Sequence, residues 1–273
     1  MASQVVDVQA QVVANQRLSG DYNVLTLAAP SIAAQASPGQ FVMLKTGAAS
    51  DPLLRRPFSV FEIFRADDGT ASALSILSKR IGPSTRLLYD AEPGQRVATL
   101  GPLGRPFSLV DASVKAWMVA GGVGLAPFAT LAQALRSRSV SCTLFYGARR
   151  ADELFHLDFF RDLGVELVLT TEDGSLGERG RIVAPLDRAL GELGAGERVM
   201  IYACGPEGML AATARTAATH RRPCQVSVER IMGCGLGGCY SCVVPMRDDD
   251  GAVHNVRSCL SGPVLQADRI VWE

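Results

Sequence analysis

Four cysteines near the carboxyl end constrain this chain more than any other feature. Cys234 and Cys239 are separated by four residues, Cys239 and Cys242 by two, and Cys259 follows after sixteen more. This is the spacing by which four thiolates hold a 2Fe-2S cluster. Glycines between the cysteines let the backbone fold tightly and turn its amides toward the sulfurs. The sequence therefore predicts a metal site with these four cysteines as ligands.

A structural zinc site is the alternative for the same cysteines. Zinc motifs usually pair two short Cys-x2-Cys or Cys/His knuckles, whereas one spacing here is four residues and its interior is packed with glycine. The other three cysteines, Cys142, Cys204 and Cys224, are isolated in sequence and are expected to be ordinary buried residues. Seven cysteines in all fit a secreted disulfide framework poorly.

Charge and hydropathy exclude several classes of partner. Lys plus Arg equals Asp plus Glu at 27 each, so no net charge draws the 273-residue chain to nucleic acid or to an anionic membrane. No stretch approaches the roughly 20 apolar residues that span a bilayer, and the start of the chain lacks the pattern of a signal peptide. We therefore expect a cytoplasmic protein without a nucleic-acid or membrane partner.

The chain divides into three predicted domains. Residues 1–110 contain short β-type runs broken by turn residues, which predicts a small antiparallel β-barrel. Residues 111–222 alternate apolar strands with helical stretches, which predicts an α/β Rossmann-like domain with a parallel sheet. Residues 223–273 hold the cysteine loop and are expected to form a small 2Fe-2S cluster domain. Its apolar end, Gly262–Val271, is a candidate docking surface.

Two glycine-containing turns follow predicted strands of the α/β region. Residues 121–127 come directly after an apolar strand and before a helical run, where free backbone amides can receive a pyrophosphate. Residues 203–209 again lead from the end of a strand into a helix. In an open α/β sheet such turns flank the ligand crevice. Plain packing and simple loop closure remain the alternatives.

The barrel region holds two further candidate segments. Arg55–Ser59 places cations beside an aromatic ring and a hydroxyl, and Gly82–Thr85 forms a small turn with Lys79 and Arg80 close by. Arginine pairs well with pyrophosphate, and an aromatic ring can stack on a flat one. Solvated charges at strand ends would give the same pattern, so these residues alone do not decide the function.

Taken together, the order of barrel, nucleotide domain and cysteine loop resembles the ferredoxin-NADP reductase superfamily with a C-terminal cluster domain. Within it, the chain most closely resembles the electron-transfer subunits of type B dihydroorotate dehydrogenases. The resemblance covers essentially the whole chain, and its most specific part is the cysteine loop with Ser227–Cys234 ahead of it. It implies FAD, a 2Fe-2S cluster and NAD as cofactors.

The resemblance also implies which residues bind each cofactor. Arg56 would contact the FAD pyrophosphate, and Phe58 and Ser59 would lie beside the isoalloxazine. The implied FAD residues are Arg56, Pro57, Phe58, Ser59, Lys79, Gly82, Ser84 and Thr85. The implied NAD residues are Gly121, Gly122, Gly124, Cys204, Gly205 and Pro206. It implies no acid-base pair on this chain.

The implied function is electron transfer within a larger enzyme. Electrons would leave FMN in a dihydroorotate dehydrogenase catalytic subunit, cross the cluster and FAD, and reduce NAD+ in pyrimidine biosynthesis. The implied assembly is a heterotetramer of two plus two subunits. One alternative is a flavin and iron-sulfur reductase subunit of a hydrogenase, a glutamate synthase-like enzyme or a transhydrogenase. Another is a zinc-stabilised binding module. Arg149 and Arg150, after a predicted strand, keep NADP open beside NAD.

Overall fold

The computed structural model describes residues 4–46 and 52–272. Two large sheets and one hairpin account for the strands of the described residues. None of the helices in these two ranges has the length and apolar character needed to cross a lipid bilayer.

The first sheet is antiparallel, and short helices cover it. Its elements are β1 (Val6–Arg17), β2 (Tyr22–Ala28), α1 (Pro30–Ala33), β3 (Phe41–Thr46), β4 (Arg56–Ser59), β5 (Ile63–Arg65), β6 (Ala71–Lys79), α2 (Pro83–Tyr89) and β7 (Arg96–Leu103). The strand order is β4-β3-β7-β1-β2-β6-β5. Residues between β4 and β5 close the sheet on itself, because Val60 donates to the carbonyl of Gln40 and Phe61 to that of Ser75, at 3.1 and 2.8 Å. The predicted antiparallel barrel is confirmed.

Helix α2 was not predicted from the sequence, which suggested only a turn at its start. It packs against β2, β3 and β6. The side-chain amide of Asn15 fixes its far end, donating to the carbonyls of Leu88, Tyr89 and Ala91 at 3.1, 3.0 and 2.8 Å. A buried carbonyl without a partner is costly, so this contact between distant segments holds α2 on the barrel.

The rest of the chain forms the second sheet with its helices, and the hairpin. Its elements are β8 (Lys115–Gly121), α3 (Phe128–Arg136), β9 (Cys142–Ala148), α4 (Leu157–Asp162), β10 (Glu166–Thr171), β11 (Glu178–Arg179), α5 (Val183–Glu192), β12 (Val199–Cys204), α6 (Glu207–Thr219), β13 (Cys224–Ser227), β14 (Val243–Arg247), β15 (Val253–Arg257), α7 (Ser258–Ser261) and β16 (Val264–Gln266). The sheet order is β11-β10-β9-β8-β12-β13-β16, parallel except for β16, and β14 pairs with β15. The predicted parallel sheet is confirmed.

Helices cover both faces of this sheet. Along β8, Met118 packs in one core with residues of α3 and α4, and Trp117 and Val119 pack in another with residues of α5 and α6. Successive side chains of a strand point to opposite faces, so a central strand covered on both sides is apolar throughout. The first core also takes in Phe61 of the barrel, which joins the two sheets into one body.

The last predicted domain contributes strands to the second sheet. β13 pairs with β12, and β16 pairs with β13, so residues on both sides of the cysteine loop extend that sheet. The division into 1–110, 111–222 and 223–273 stays a prediction. The hypothesis that Gly262–Val271 offers an apolar docking surface is wrong. Its larger apolar side chains are buried, with Leu265 and Ile270 in the second core and Val264 in the first.

Candidate cofactor sites

The two glycine-containing turns meet at the carboxyl edge of the parallel sheet. β8 and β12 are neighbours, with Ala120 paired to Cys204, although β9 and β10 lie on the other side of β8. The chain therefore changes direction across the sheet between β8 and β12. Ligands of open α/β sheets bind at such a switch point, because the loops on its two sides diverge and leave a crevice.

Gly124 is the point of closest contact between the turns. A Cβ atom there would lie 2.2 Å from the carbonyl oxygen of Cys204 and 2.7 Å from the Cα of Gly205, both of them backbone atoms. Gly122 has a φ of 53°, which glycine adopts without strain. The structure brings together all six residues predicted for NAD: Gly121, Gly122, Gly124, Cys204, Gly205 and Pro206.

Cys204 is a neutral thiol at physiological pH. Burial raises its pKa to about 12, and the nearby Glu229 carboxylate raises it as well, while a hydrogen bond with Ser227 opposes the shift. The side chain therefore offers a nucleotide a small, polarizable and uncharged surface rather than a nucleophile.

Strand β4 carries the predicted flavin motif, and Arg55 directly precedes it. The structure gives Arg55 and Arg56 different partners. Arg55 is held by Asp7 of β1, with Nη2 at 2.9 and 2.8 Å from the two carboxylate oxygens. Arg56 is exposed and donates to the Arg55 carbonyl at 3.2 Å. Residues 57–59 of the same strand are half-buried. Arg56 is therefore the better placed of the two for an anionic ligand.

The predicted phosphate turn forms the start of α2. Gly82 caps this helix, and the hydroxyl of Thr85 folds back to accept a hydrogen bond from the Gly82 amide at 3.0 Å. Ser84 is half-buried in the same turn. Lys79, at the end of β6, directs its ammonium toward the nucleotide domain and lies 3.7 Å from the carboxylate of Glu153.

Both segments predicted for FAD, Arg56–Ser59 and Gly82–Thr85, adjoin the interface between the barrel and the parallel sheet. Phe61, two residues beyond Ser59, packs against the His156 ring with a centroid distance of 4.9 Å. The backbone of residues 122–125, part of the nucleotide turn, contacts β6. The residues predicted for FAD and those predicted for NAD thus lie on the two sides of one interface.

The cysteine loop folds through glycines in left-handed conformation, as its composition predicts. Gly235 and Gly237 have φ values of 72° and 83°. Between them, the amide of Leu236 donates to Sγ of Cys234 at 3.3 Å. An amide aimed at a sulfur stabilises negative charge there, which a thiolate ligand requires.

The four sulfurs of the loop form two adjoining pairs. The Cys234 thiol adjoins Cys239 and lowers its pKa, and the Cys242 thiol adjoins Cys259 and raises its pKa. Within residues 4–46 and 52–272, no three His, Cys, Asp or Glu side chains converge on a single-ion site. The four thiols would be the donor set for an iron-sulfur cluster.

The cysteine pairs differ in acidity. The Ser241 hydroxyl, 3.1 Å from Sγ of Cys239, lowers the pKa of that exposed thiol to about 6. Burial and the adjacent Cys242 thiol raise the pKa of Cys259 to about 12. A buried thiol becomes a thiolate when the charge of a bound metal compensates it. The donor set therefore fits an iron-sulfur cluster whose binding releases protons.

The cysteine loop rests on the barrel strand β3. Phe41 and Met43 of this strand form one core with Cys242 and Cys259, and a Cβ atom at Gly235 would lie 2.7 Å from Cγ of Met43. Alternate residues of β3 face the interior of the barrel. On its edge, β3 pairs with the flavin strand β4. A single strand thus separates the predicted cluster from the predicted flavin motif.

An ion pair ties the approach to the cysteine loop onto the nucleotide turn. Arg230 contacts both carboxylate oxygens of Glu207, at 2.8 and 2.9 Å, and Glu207 follows Pro206 directly. This bidentate geometry fixes orientation as well as distance. The cluster loop and the start of α6 are therefore held together.

Two protein-family models match the chain. The iron-sulfur cluster binding domain of dihydroorotate dehydrogenase B matches residues 229–271, and the oxidoreductase NAD-binding domain matches residues 118–215. The dihydroorotate dehydrogenase B (NAD(+)) electron transfer subunit of Desulforamulus reducens is 37% identical over 245 residues, 90% of each chain. That of Bacillus caldolyticus is 36% identical over 263 residues, 95% of this chain and 96% of the relative. The chain belongs to this family of electron transfer subunits.

Solved structures place the electron transfer subunit in the ferredoxin-NADP reductase fold. An NADH-dependent reduced ferredoxin-NADP oxidoreductase, studied for flavin-based electron bifurcation, has a TM-score of 0.83 at 25% identity and covers 100% of this chain and 92% of its own. A ferredoxin NADP+ reductase from Neisseria gonorrhoeae with bound FAD and NADP has a TM-score of 0.64 at 21% identity, over 78% and 91% of the two chains. The predicted fold and family are confirmed, while the individual site residues stay predictions.

Sequence reasoning missed several residues that shape the sites of this electron transfer subunit. Met43 supports the cluster loop, Glu153 meets Lys79, and Arg230 anchors the loop to Glu207. The uninterrupted apolar run in β3 indicates a strand buried on both faces, so the burial of Met43 could have been predicted from the sequence. The ion pairs Lys79–Glu153 and Arg230–Glu207 join segments that are distant in the sequence, so no local sequence pattern predicts them.

Proposed function

We propose that this chain passes electrons between NAD(H) and a catalytic partner subunit, using bound FAD and a 2Fe-2S cluster. The position of β3 carries the proposal, because one edge of this strand pairs with the flavin strand and one face supports the cluster loop. The nucleotide turn contacts β6 of the same barrel. All three candidate sites adjoin one barrel, which keeps the path between them short.

FAD supplies the chemistry that links the ends of this path, since a flavin exchanges electron pairs with a nicotinamide and single electrons with a cluster. The chain supplies placement. Arg56 and the turn from Gly82 to Thr85 would hold the FAD phosphates, with Phe58 and Ser59 beside the flavin ring. The NAD residues would seat the nucleotide across the domain interface, and the four cysteines would hold the irons.

We infer that the partner is an FMN-containing dihydroorotate dehydrogenase catalytic subunit, in a heterotetramer of two plus two. The names of the relatives support this partner. Two electrons from dihydroorotate would enter through the partner, and they would leave with one proton on NAD+ as NADH. We place the complex in the cytoplasm, where a reducing environment keeps cluster cysteines from forming disulfides.

The test is dihydroorotate-dependent NAD+ reduction by the complex that this chain forms in its native cells, purified without oxygen. NADH formation by the chain together with a co-purified flavoprotein would support the proposal. Its subunit masses in native mass spectrometry would test the two-plus-two assembly. A coloured, NADH-reducible complex that ignores dihydroorotate would contradict the choice of partner while leaving the electron transfer intact.

Cysteine variants test the ligand assignment separately. Cys239→Ala should remove the iron and abolish electron flow to the partner, while NADH still reduces an artificial dye through FAD. Cys224→Ala is the matched control, because Cys224 is buried in β13 outside the loop. Full iron content and unchanged visible absorption in Cys239→Ala would contradict the assignment.

A second candidate function follows from the full-length likeness to the NADH-dependent reduced ferredoxin-NADP oxidoreductase. In that case the chain would serve a ferredoxin-linked complex instead of a dihydroorotate dehydrogenase. Reduction of ferredoxin, without any response to dihydroorotate, would favour it. Membership of the electron transfer subunit family sets aside the zinc-stabilised binding module.

A further inference from the structure

The loop after β9 carries charges of both signs at the nucleotide edge of the sheet. It reads Arg149-Arg-Ala-Asp-Glu153, and we call it the charged loop. β9 lies beside β8. The hydroxyl of Tyr146 lies 3.3 Å from the carbonyl oxygen of Gly122 in the nucleotide turn and 3.2 Å from that of Glu153. The charged loop and the glycine turn therefore share one hydrogen-bonding group.

Each arginine of the charged loop has a carboxylate of the same loop beside it. Nε of Arg150 lies 3.4 Å from Asp152, and both side chains are well exposed. Nε of Arg149 lies 4.0 Å from Glu153, whose side chain is only 14% exposed. The positive charge that the sequence places here is thus compensated locally.

Backbone contacts hold the charged loop in a defined shape. The Arg149 amide donates to the Glu153 carboxylate at 3.3 Å, and the Ala151 amide donates to Oγ of Ser175 at 2.8 Å. The amide of Asp173 donates to the carbonyl of Arg149 at 3.2 Å. The segment after β10 therefore braces the loop, and its charges are pre-positioned.

Glu153 is fixed from the barrel side as well. Its carboxylate lies 3.4 Å from the hydroxyl of Tyr22 and 3.7 Å from the ammonium of Lys79. The strand β11, beside β10, adds Glu178, which pairs with Arg188 of α5, and the exposed Arg179. A nucleotide approaching the charged loop meets two arginines, Arg149 and Arg150, that already have partners, and a carboxylate, Asp152, at the surface.

We propose that Asp152, with Glu153 behind it, selects NAD over NADP at the charged loop, an inference that rests on the proposed function. Residues beyond the second strand of such a sheet meet the adenosine ribose, where an acid accepts a hydrogen bond from a 2′-hydroxyl and a free arginine binds a 2′-phosphate. Paired arginines give the phosphate little attraction. The Asp152 carboxylate would also repel the 2′-phosphate of NADP. Many sites obtain specificity by repelling a competing ligand in this way.

The first test measures the nucleotide preference of the full chain loaded with FAD. The assay is the reduction of an artificial dye with NADH or with NADPH as the electron donor. Asp152→Asn should raise the ratio of kcat/KM for NADPH over NADH by about 1.4- to fivefold, the effect of one exposed charge pair. The gain should shrink at high salt because the charges are exposed. Adding Glu153→Gln should enlarge it. Asp158→Asn is the matched control, because Asp158 is an exposed acid paired with Arg161 outside the loop, and it should leave the ratio unchanged.

The second test measures binding without turnover. Calorimetric titration with 2′,5′-ADP and with 5′-AMP reports the 2′-phosphate alone, and Asp152→Asn should tighten only the former, by a similar factor. Unchanged ratios in both assays, for the single and the double variant, would overturn the inference. A parent chain that reduces dye with neither nucleotide would contradict the proposed function instead, and the titration would still decide the role of Asp152.

Discussion

Gly124→Ala should both destabilise the chain and weaken nucleotide binding. The added Cβ would lie 2.2 Å from the carbonyl oxygen and 2.5 Å from the carbonyl carbon of Cys204, so it falls about 1.2 Å short of the 3.4 Å at which ordinary contacts begin. Both atoms belong to the backbone, and one of the two turns must move. Overpacking of this kind costs about 1–3 kcal/mol.

The assay combines thermal unfolding with NADH-dependent dye reduction by the FAD-loaded chain. For a chain of this size about 1 kcal/mol corresponds to about 2–4 °C, so Tm should fall by roughly 2–12 °C. Displacing the turn by about 1 Å should lower kcat/KM for NADH by up to about 100-fold.

Gly208→Ala is the matched control for this substitution. Gly208 lies in the first turn of α6, close to the same site, and a Cβ there would meet no atom within 4 Å. Alanine is the better helix former, so this variant should be as stable as the parent or more stable by up to about 1 kcal/mol. If Gly124→Ala kept the parent Tm and kcat/KM, the two turns would not touch as described, and the reasoning would be refuted.

Three further predictions concern the supports of the sites. Asn15→Ala should lower the free energy of unfolding in urea by about 1–3 kcal/mol and weaken FAD binding, because the carbonyls at the end of α2 lose a hydrogen-bond donor. Asn255→Ala, at an exposed position, should cost little. Met43→Ala should cost about 2–5 kcal/mol and alter the visible circular dichroism of the cluster; an unchanged spectrum would argue against the contact with the cluster loop. The hydrogen bond from Arg230 lowers the pKa of Glu207 below its usual 4.5, so the pair stabilises the fold above that pH and loses its effect as pH falls through the lowered value. Arg230→Gln should therefore weaken the acid-side dependence of unfolding in urea titrations, and an identical pH profile would count against the pair.

Local patterns predicted most strands of the barrel, four strands of the parallel sheet (β8, β9, β10 and β12) and three helices (α3, α4 and α6). The apolar runs of the parallel sheet, the turn residues of the barrel and the glycines of the nucleotide turn all act within a few positions of the chain. Four helices, α1, α2, α5 and α7, escaped prediction. The start of α2, with Gly82 and Pro83, reads as a turn, and only the contact from Asn15 shows how its far end is held.

The candidate sites divide in the same way. Spacing and residue chemistry predicted the four cysteines, and the family resemblance implied the six nucleotide residues; both sets stay predictions. The family resemblance implies Arg56 for FAD, whereas residue chemistry alone does not distinguish it from the adjacent Arg55. Asp7, far away in the chain, engages Arg55 and leaves Arg56 exposed.

By itself, therefore, the sequence determined the type of each sheet and predicted the chemistry of each site, since these follow from periodicity and from which side chains can bind iron or phosphate. The tertiary structure alone decided how the sites are related to one another. It placed the cysteine loop on β3, brought the two turns together at Gly124 and set Asp152 and Glu153 beside the arginines of the charged loop. These relations depend on pairing and packing between segments distant in the chain, which residue spacing does not encode.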